Sequence, residues 1–316
     1  MSDLTVTIVG TGVIGTSLGL ALKQIEEAPR LIAHDKDLSV SKAAVQRGAF
    51  DKADWNLINA CDQADVIILA MPLSGIRPTM EVIADDLKQG VLISDTCRSK
   101  APVLQIMSDL LPDHAHFVGG DPIVHPAGLG PENAREDLFQ GHAYCLTPSP
   151  SANEDVGQFW VNLVGAIGAE AFFLDAAEHD GLVTAVEYLP AVVSCTLLNS
   201  LSTQTSWRES RKMAGGLFEQ VSTGATGDPD SLAESLQSNR QSLLHWLDNY
   251  QDHLNQLRAL LAEDDLEALA QHLDKAFVER HNWLTDYKKN RFSDPELTKT
   301  EIETPGLMKR LVGFGR

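Results

Sequence analysis

Gly10, Gly12 and Gly15 follow directly on the apolar run Thr5-Val6-Thr7-Ile8-Val9, and a helical pattern begins at once after them. Glycine at the first position permits a tight turn, at the second it lets backbone approach a pyrophosphate, and at the third it lets a helix sit close to a strand. The N–H groups and dipole at such a helix start attract phosphate, so Val13 and Ile14 join the glycines as candidate contacts. Three spaced glycines alone are a weak signal. Here a second apolar run, Leu31-Ile32-Ala33-His34, ends in Asp35, twenty residues beyond Gly15. A carboxylate there accepts hydrogen bonds from the adenosine ribose hydroxyls and repels a 2′-phosphate. Strand, glycines, helix, strand and acid in this order predict a dinucleotide site that prefers NAD to NADP. Ala70-Met71-Pro72 and Asp95-Thr96 close two further apolar runs. Ligands gather at the carboxyl ends of strands in open α/β sheets, so Ala70, Met71, Pro72 and Thr96 are further cofactor candidates.

The elements needed to position these residues can be read along the chain. Short apolar runs at Thr5–Val9, Arg30–His34, Ala64–Ala70, Gly90–Ser94, His116–Val118, Ala143–Leu146 and Ala171–Leu174 read as strands. Helical patterns at Ile14–Gln24, Ser39–Arg47, Ile76–Leu87 and Pro102–Leu110 lie between them, the signature of a doubly wound, mostly parallel sheet. From Ala176 to Tyr287 only helical periodicity is found, with Leu243, Leu247, Tyr250, Leu254 and Leu257 as one stripe. That stripe reads as core or subunit contact, and the apolar stretch Leu182–Leu198, which contains Glu187 and Pro190, reads as a buried helix rather than a membrane span. The expected fold class is therefore an α/β Rossmann-type sheet over residues 1–175 followed by an all-helical domain over 176–290. A homodimer through the helical domain is expected, because such domains seldom cover their apolar faces alone. A basic tail follows over 291–316, where Leu307–Val312 forms a short amphipathic pattern suited to docking on the chain's own acidic surface or on a partner.

Composition narrows the function. The 316 residues are 43% hydrophobic and 22% charged, with a net charge of −19, as in a globular protein that repels nucleic-acid phosphates and anionic membranes. Cys61, Cys97, Cys145 and Cys195 are widely spaced, which suits neither a disulfide framework nor a zinc site and fits a reducing cytoplasm. A strand pattern beginning at Leu4 leaves no room for a signal peptide. His34, His114, His116, His142, His245, His253, His272 and His281 form no ligand cluster in sequence, and no metal is expected.

The chain resembles the prephenate and arogenate dehydrogenase family of tyrosine biosynthesis over nearly its whole length to about residue 285. Asp95-Thr96-Cys97-Arg98-Ser99-Lys100 is similar to the family's D-x-G-S-x-K, and Gly119-Gly120-Asp121-Pro122-Ile123 to its G-G-H-P-M. Glu178-His179-Asp180 matches E-H-D, Glu187-Tyr188-Leu189-Pro190-Ala191 stands at S-H-L-P-H, and Gly215–Pro229 resembles G-G-F-R-D-x-T-R. The resemblance implies hydride transfer from a ring carbon bearing a hydroxyl to nicotinamide C4, with loss of the ring carboxylate. In that chemistry a histidine handles the hydroxyl proton and an arginine grips a carboxylate.

Several of those positions are changed. Asp121 replaces the histidine before Pro122, Arg98 replaces a serine, Tyr188 and Ala191 replace two histidines, and Glu219 and Thr223 replace arginines. Candidate replacements are Asp121 as base, alone or coupled to His125 four residues on. Glu187 and Tyr188, expected one turn into a helix, join them. Glu187 either pairs with Arg98 or acts in the site, and Arg98 either makes that pair or binds a substrate carboxylate. Asp180 reads as a helix-start carboxylate. Three functions remain open: a prephenate- or arogenate-type dehydrogenase, a dehydrogenase for another small carboxylated substrate, and a non-catalytic NAD-binding sensor.

Overall fold

Eight strands form one sheet in the computed structural model, which describes residues 4–150 and 152–288. They are β1 (Thr5–Val9), β2 (Arg30–His34), β3 (Lys52–Ala53), β4 (Val66–Leu69), β5 (Leu92–Asp95), β6 (His116–Pro122), β7 (Ala143–Pro148) and β8 (Glu170–Phe173), in spatial order β3-β2-β1-β4-β5-β6-β7-β8. Every neighbouring pair is parallel except β6 and β7. Strands β1, β2 and β4 are continuous apolar runs because helices cover both faces of a parallel sheet, and Val6, Ile8, Leu31, Val66 and Ile67 are fully buried. The covering helices are α1 (Val13–Lys23), α2 (Leu38–Gln46), α3 (Leu57–Cys61), α4 (Leu73–Ile83), α5 (Ala101–Leu110) and α6 (Glu154–Ala166).

Two differences from the expected elements matter. The two-residue strand β3 was too short to leave a pattern. More consequentially, β6 runs on past Val118 to Pro122, so Asp121 lies within the strand rather than beyond its end. Gly119 and Gly120 disguise this stretch, since glycine disfavours strands. A Cβ on Gly120 would come within 2.7 Å of Asp95 O and 2.9 Å of the Tyr144 ring. These glycines mark close approach, not a turn.

Contacts divide the chain into two compact units, one ending at Ala176 and the other beginning at Ala177. The second contains α7 (Ala176–Val183), a π-helical turn at Thr184–Tyr188, α8 (Leu189–Ser202), α9 (Trp207–Ser210), α10 (Gly216–Ser222), α11 (Pro229–Ser238), α12 (Arg240–Ala262) and α13 (Leu266–Lys288). Elements α7, the π turn and α8 form one continuous helix, Ala176–Ser202. Pro190 explains the widened turn: it lacks an N–H and would crowd the carbonyl four residues back, so Leu189 N bonds to Thr184 O instead. Glu187 and Tyr188 therefore lie about three turns into the helix, not one.

The expectation of a buried helix at Leu182–Leu198 is not met. The most apolar window of Ala176–Ser202 has mean hydropathy 1.6 yet is only 22% buried, and by length and composition this helix is long and apolar enough to cross a membrane. In the α12 stripe Leu243 is buried, while Tyr250 and Leu254 are exposed. The basic tail and its Leu307–Val312 pattern lie outside the described residues.

Candidate active site

The carboxyl ends of β1, β4, β5 and β6 share one edge of the sheet, because Val9 is level with Leu69, Leu69 with Asp95, and Ile93 with Phe117. The candidate residues of the first unit lie on or just beyond that edge.

At β1 the chain turns through Gly10, whose φ of 96° lies in the left-handed region. A Cβ there would sit 2.2 Å from Ala70 O, and one on Gly15 only 1.9 Å from Gly10 O. Gly12 differs, since a Cβ on it would meet nothing within 4 Å. It faces open space, as a backbone left clear for a ligand does. Thr16 N is the first donor of the α1 ladder, to Gly12 O at 2.9 Å, so the N–H groups of Val13, Ile14 and Gly15 precede it. No side chain caps this helix and no acid stands in its first turn. Such a helix start could hold an anion. Asp35 closes it on the β2 side, accepting from Thr11 N at 2.8 Å and Thr11 Oγ1 at 3.2 Å, while Asp37 N reaches its other oxygen at 3.0 Å. The carboxylate is half-buried and held beside the glycine turn. Ala70 is pinned by a bond from its N to Val9 O at 2.8 Å, and Thr96 N bonds to Leu69 O at 3.2 Å. Met71 and Pro72 follow β4 on the same edge, Pro72 exposed. These residues fit a dinucleotide, with the phosphates at the α1 start and the adenosine ribose at Asp35.

Beyond β5 the edge carries buried charges. Asp95 and Lys100 are both fully buried and form an ion pair. Asp95 also accepts from Cys97 N at 2.9 Å and Gly120 N at 3.0 Å, and Lys100 Nζ donates to Gly120 O at 2.7 Å. Burial alone would lower the Lys100 pKa, but Asp95, Cys97 and Asp121 together outweigh it and the ammonium is held above its ordinary value. Asp121, 1% exposed, stands at the end of β6 opposite Cys145 of β7. Burial, with Asp95 and Asp121 adding to it, pushes the neighbouring Tyr144 phenol up. Burial, then Asp121, pushes the Cys145 thiol up to about 12. Lys100, Asp95 and Tyr144 were not picked out as site residues by sequence. The available signal was an acid and a lysine five residues apart at a strand end.

The catalytic candidates are divided between the units. Half-buried Arg98 donates from Nη2 to Val124 O at 3.1 Å, tying the β5–α5 loop to the segment just after β6, the strand that carries Asp121. His125 is exposed beyond the strand end. Half-buried Glu187 and buried Tyr188 belong to the π turn of the second unit. In that unit Asp180 does not cap a helix: its carboxylate pairs with His179 Nδ1 at 2.9 Å, one turn inside α7, and its backbone oxygen accepts from Thr184 Oγ1 at 2.6 Å. The adjacent imidazole competes for the carboxylate more effectively than distant helix N–H groups.

A glycine turn, an uncapped helix start, an acid at the end of β2 and an eight-stranded doubly wound sheet are the features of a dinucleotide-binding oxidoreductase. The nucleotide-binding domain of prephenate dehydrogenase matches residues 18–171, and the dimerization domain of prephenate dehydrogenase matches residues 175–275. The chain belongs to the prephenate dehydrogenase family. It is 26% identical over 278 residues to prephenate dehydrogenase of Bacillus subtilis, covering 86% of this chain and 74% of that one. Among solved structures it is similar to Synechocystis arogenate dehydrogenase, with TM-score 0.73, 25% identity, and coverage of 89% and 100%. It shares the fold of Aquifex aeolicus prephenate dehydrogenase in complex with hydroxyphenyl propionate and NAD+, with TM-score 0.82, 23% identity, and coverage of 89% and 99%.

Proposed function

We propose that the chain is an NAD-dependent dehydrogenase acting on prephenate, arogenate or a close cyclic hydroxy acid in tyrosine biosynthesis. One observation carries this reading: the glycine turn, Asp35 and the buried Asp121 lie along one carboxyl edge of a sheet of this family. NAD, when bound, accepts a hydride from the ring carbon that bears the hydroxyl. The backbone N–H groups of Val13, Ile14 and Gly15 hold its pyrophosphate, and Asp35 selects the unphosphorylated ribose. Asp121 takes the hydroxyl proton as the ring C–O bond becomes a carbonyl. The bond from ring to carboxylate then breaks, carbon dioxide leaves, and the released electron pair passes through the ring to the carbonyl oxygen, which takes the proton back from Asp121 as the aromatic phenol forms. Arg98, Glu187, Tyr188 and His125 are the further substrate-side candidates, and a substrate carboxylate suits the Arg98 guanidinium. The second unit pairs with that of a second copy. Four cysteines without disulfides, three of them buried, suit the cytoplasm as its compartment.

A second reading, a dehydrogenase for another small carboxylated substrate, is favoured by Asp121, Tyr188, Ala191, Glu219 and Thr223 standing together where the family pattern has other side chains. Following NADH formation with prephenate and with arogenate separates the two. Turnover of either supports the first reading, and tight NAD binding with turnover of neither supports the second. With an active substrate, Asp121→Asn should lower kcat by roughly 100-fold or more while NAD affinity changes little. Undiminished turnover in that variant removes Asp121 as the base.

A further inference from the structure

We propose that Lys100 is a positioning residue for Asp121: a buried ammonium shared between Asp95 and Asp121 that fixes the end of β6 and balances the second carboxylate. The inference rests on the reading of Asp121 as proton acceptor.

Three ionisable side chains, Asp95, Lys100 and Asp121, are buried together at the carboxyl ends of β5 and β6. Asp95 is provided for already, with two backbone N–H donors and the ammonium. Asp121 brings a further negative charge to the same buried strand ends, and its charge acts on the Lys100 ammonium. Two buried carboxylates without a cation would repel each other strongly at low dielectric. Lys100 is also tied to the Asp121 segment through backbone, because Nζ donates to Gly120 O, one residue before it. The local sequence makes room for this arrangement. A Cβ on Gly119 would stand 3.1 Å from Lys100 Cδ, and one on Gly120 would strike Asp95 O and the Tyr144 ring. Within the first unit, Asp95 from β5, Cys97 from the following loop, Asp121 from β6, and Tyr144 and Cys145 from β7 bear on one another or on the ammonium. Both thiols and the phenol are pushed up, so at neutral pH they remain uncharged. The cation therefore answers to two carboxylates.

A double-mutant cycle in the full-length protein tests this without needing a substrate. Lys100→Met should lower Tm by roughly 5 °C or more at neutral pH. Adding Asp121→Asn should restore at least about half of that loss. If Lys100→Met does not fold alone, recovery of folded protein in the double variant is the same result. Recovery with Asp95→Asn but not with Asp121→Asn, or with neither, overturns the proposal. With an active substrate, Lys100→Met should move the acid limb of the kcat profile to higher pH by about one unit, and Lys100→Arg should return it toward wild type. An acid limb unmoved in Lys100→Met also overturns it. Full turnover in Asp121→Asn would instead remove the base assignment, while the stability cycle still decides whether Lys100 serves Asp121.

Discussion

The two units bury their side chains very differently. Among the described residues, the fully covered hydrophobic side chains belong almost entirely to the first unit; the second contributes only Val183, Tyr188 and Leu243. Its helices instead expose Leu182, Val186, Met213, Leu217, Leu254, Phe277 and Trp283, and a 460 Å³ apolar groove opens among Leu197, Trp207, Met213, Leu217 and Phe218. Both units have ample hydrophobic residues. The sheet satisfies its strands and covering helices within one chain, whereas the helical unit leaves apolar faces that match a dimerization domain. The first unit can thus be read as a self-sufficient fold and the second as part of an assembly.

The largest expected effect tests the self-sufficiency of the first unit. Gly15→Val should destabilise it by roughly 3 kcal/mol or more and abolish NAD binding, since even a Cβ overlaps Gly10 O. Gly12→Ala should fold with nearly unchanged Tm, because its Cβ enters open space, yet weaken NAD binding about tenfold or more. Thermal unfolding and NAD titration read both variants. A common loss of stability would mean that the turn is not divided between packing at Gly15 and ligand at Gly12.

For the second unit, Leu254→Glu should shift the chain from dimer toward monomer in sedimentation analysis and make Tm depend more strongly on concentration. A monodisperse dimer with unchanged Tm would remove this face from the contact. A smaller effect concerns cofactor choice. Asp35→Asn should reduce the preference for NAD over NADP by roughly tenfold, as the repulsion of a 2′-phosphate is relieved. An unaltered ratio of the two dissociation constants would sink that assignment.

The smallest effect lies at the β2 edge. Burial raises the Asp51 pKa, but bonds from Lys23 at 2.7 Å and Leu31 N at 2.7 Å more than reverse this, leaving it below 3.8. A lowered folded value means that its stabilisation is present above the unfolded value and is lost as pH falls through the folded one. Asp51→Asn should therefore cost less than about 1 kcal/mol at pH 7, the pair being exposed and screened, and should flatten the acid loss below pH 4. An identical acid transition in both proteins would assign that loss elsewhere.

The legible parts of the chain were those where local chemistry and tertiary role coincide. Gly10, Gly12, Gly15 and Asp35 could be picked out because backbone geometry and charge at a strand end impose residue types at short, regular spacing. The catalytic side was less legible. Asp121 was noticed only as a departure from a family pattern, and its strand was cut short because Gly119 and Gly120 look like a turn. Lys100 is legible only as the last residue of a family motif, since nothing in its neighbours along the chain says that this lysine is buried against Asp95. The Leu182–Leu198 stretch reads as buried because hydropathy records the need for cover without saying which molecule supplies it.

By itself the sequence determined the doubly wound sheet, the helical unit and the glycine turn after β1, because hydrophobic period and glycine geometry are properties of neighbouring residues. Tertiary structure alone decided that β6 extends to Pro122, that Asp95, Lys100 and Asp121 are all buried at the ends of β5 and β6, and that Asp180 pairs with His179 rather than capping a helix. Burial and the field of neighbouring charges depend on which distant strands come together, and that is set by packing rather than by spacing along the chain.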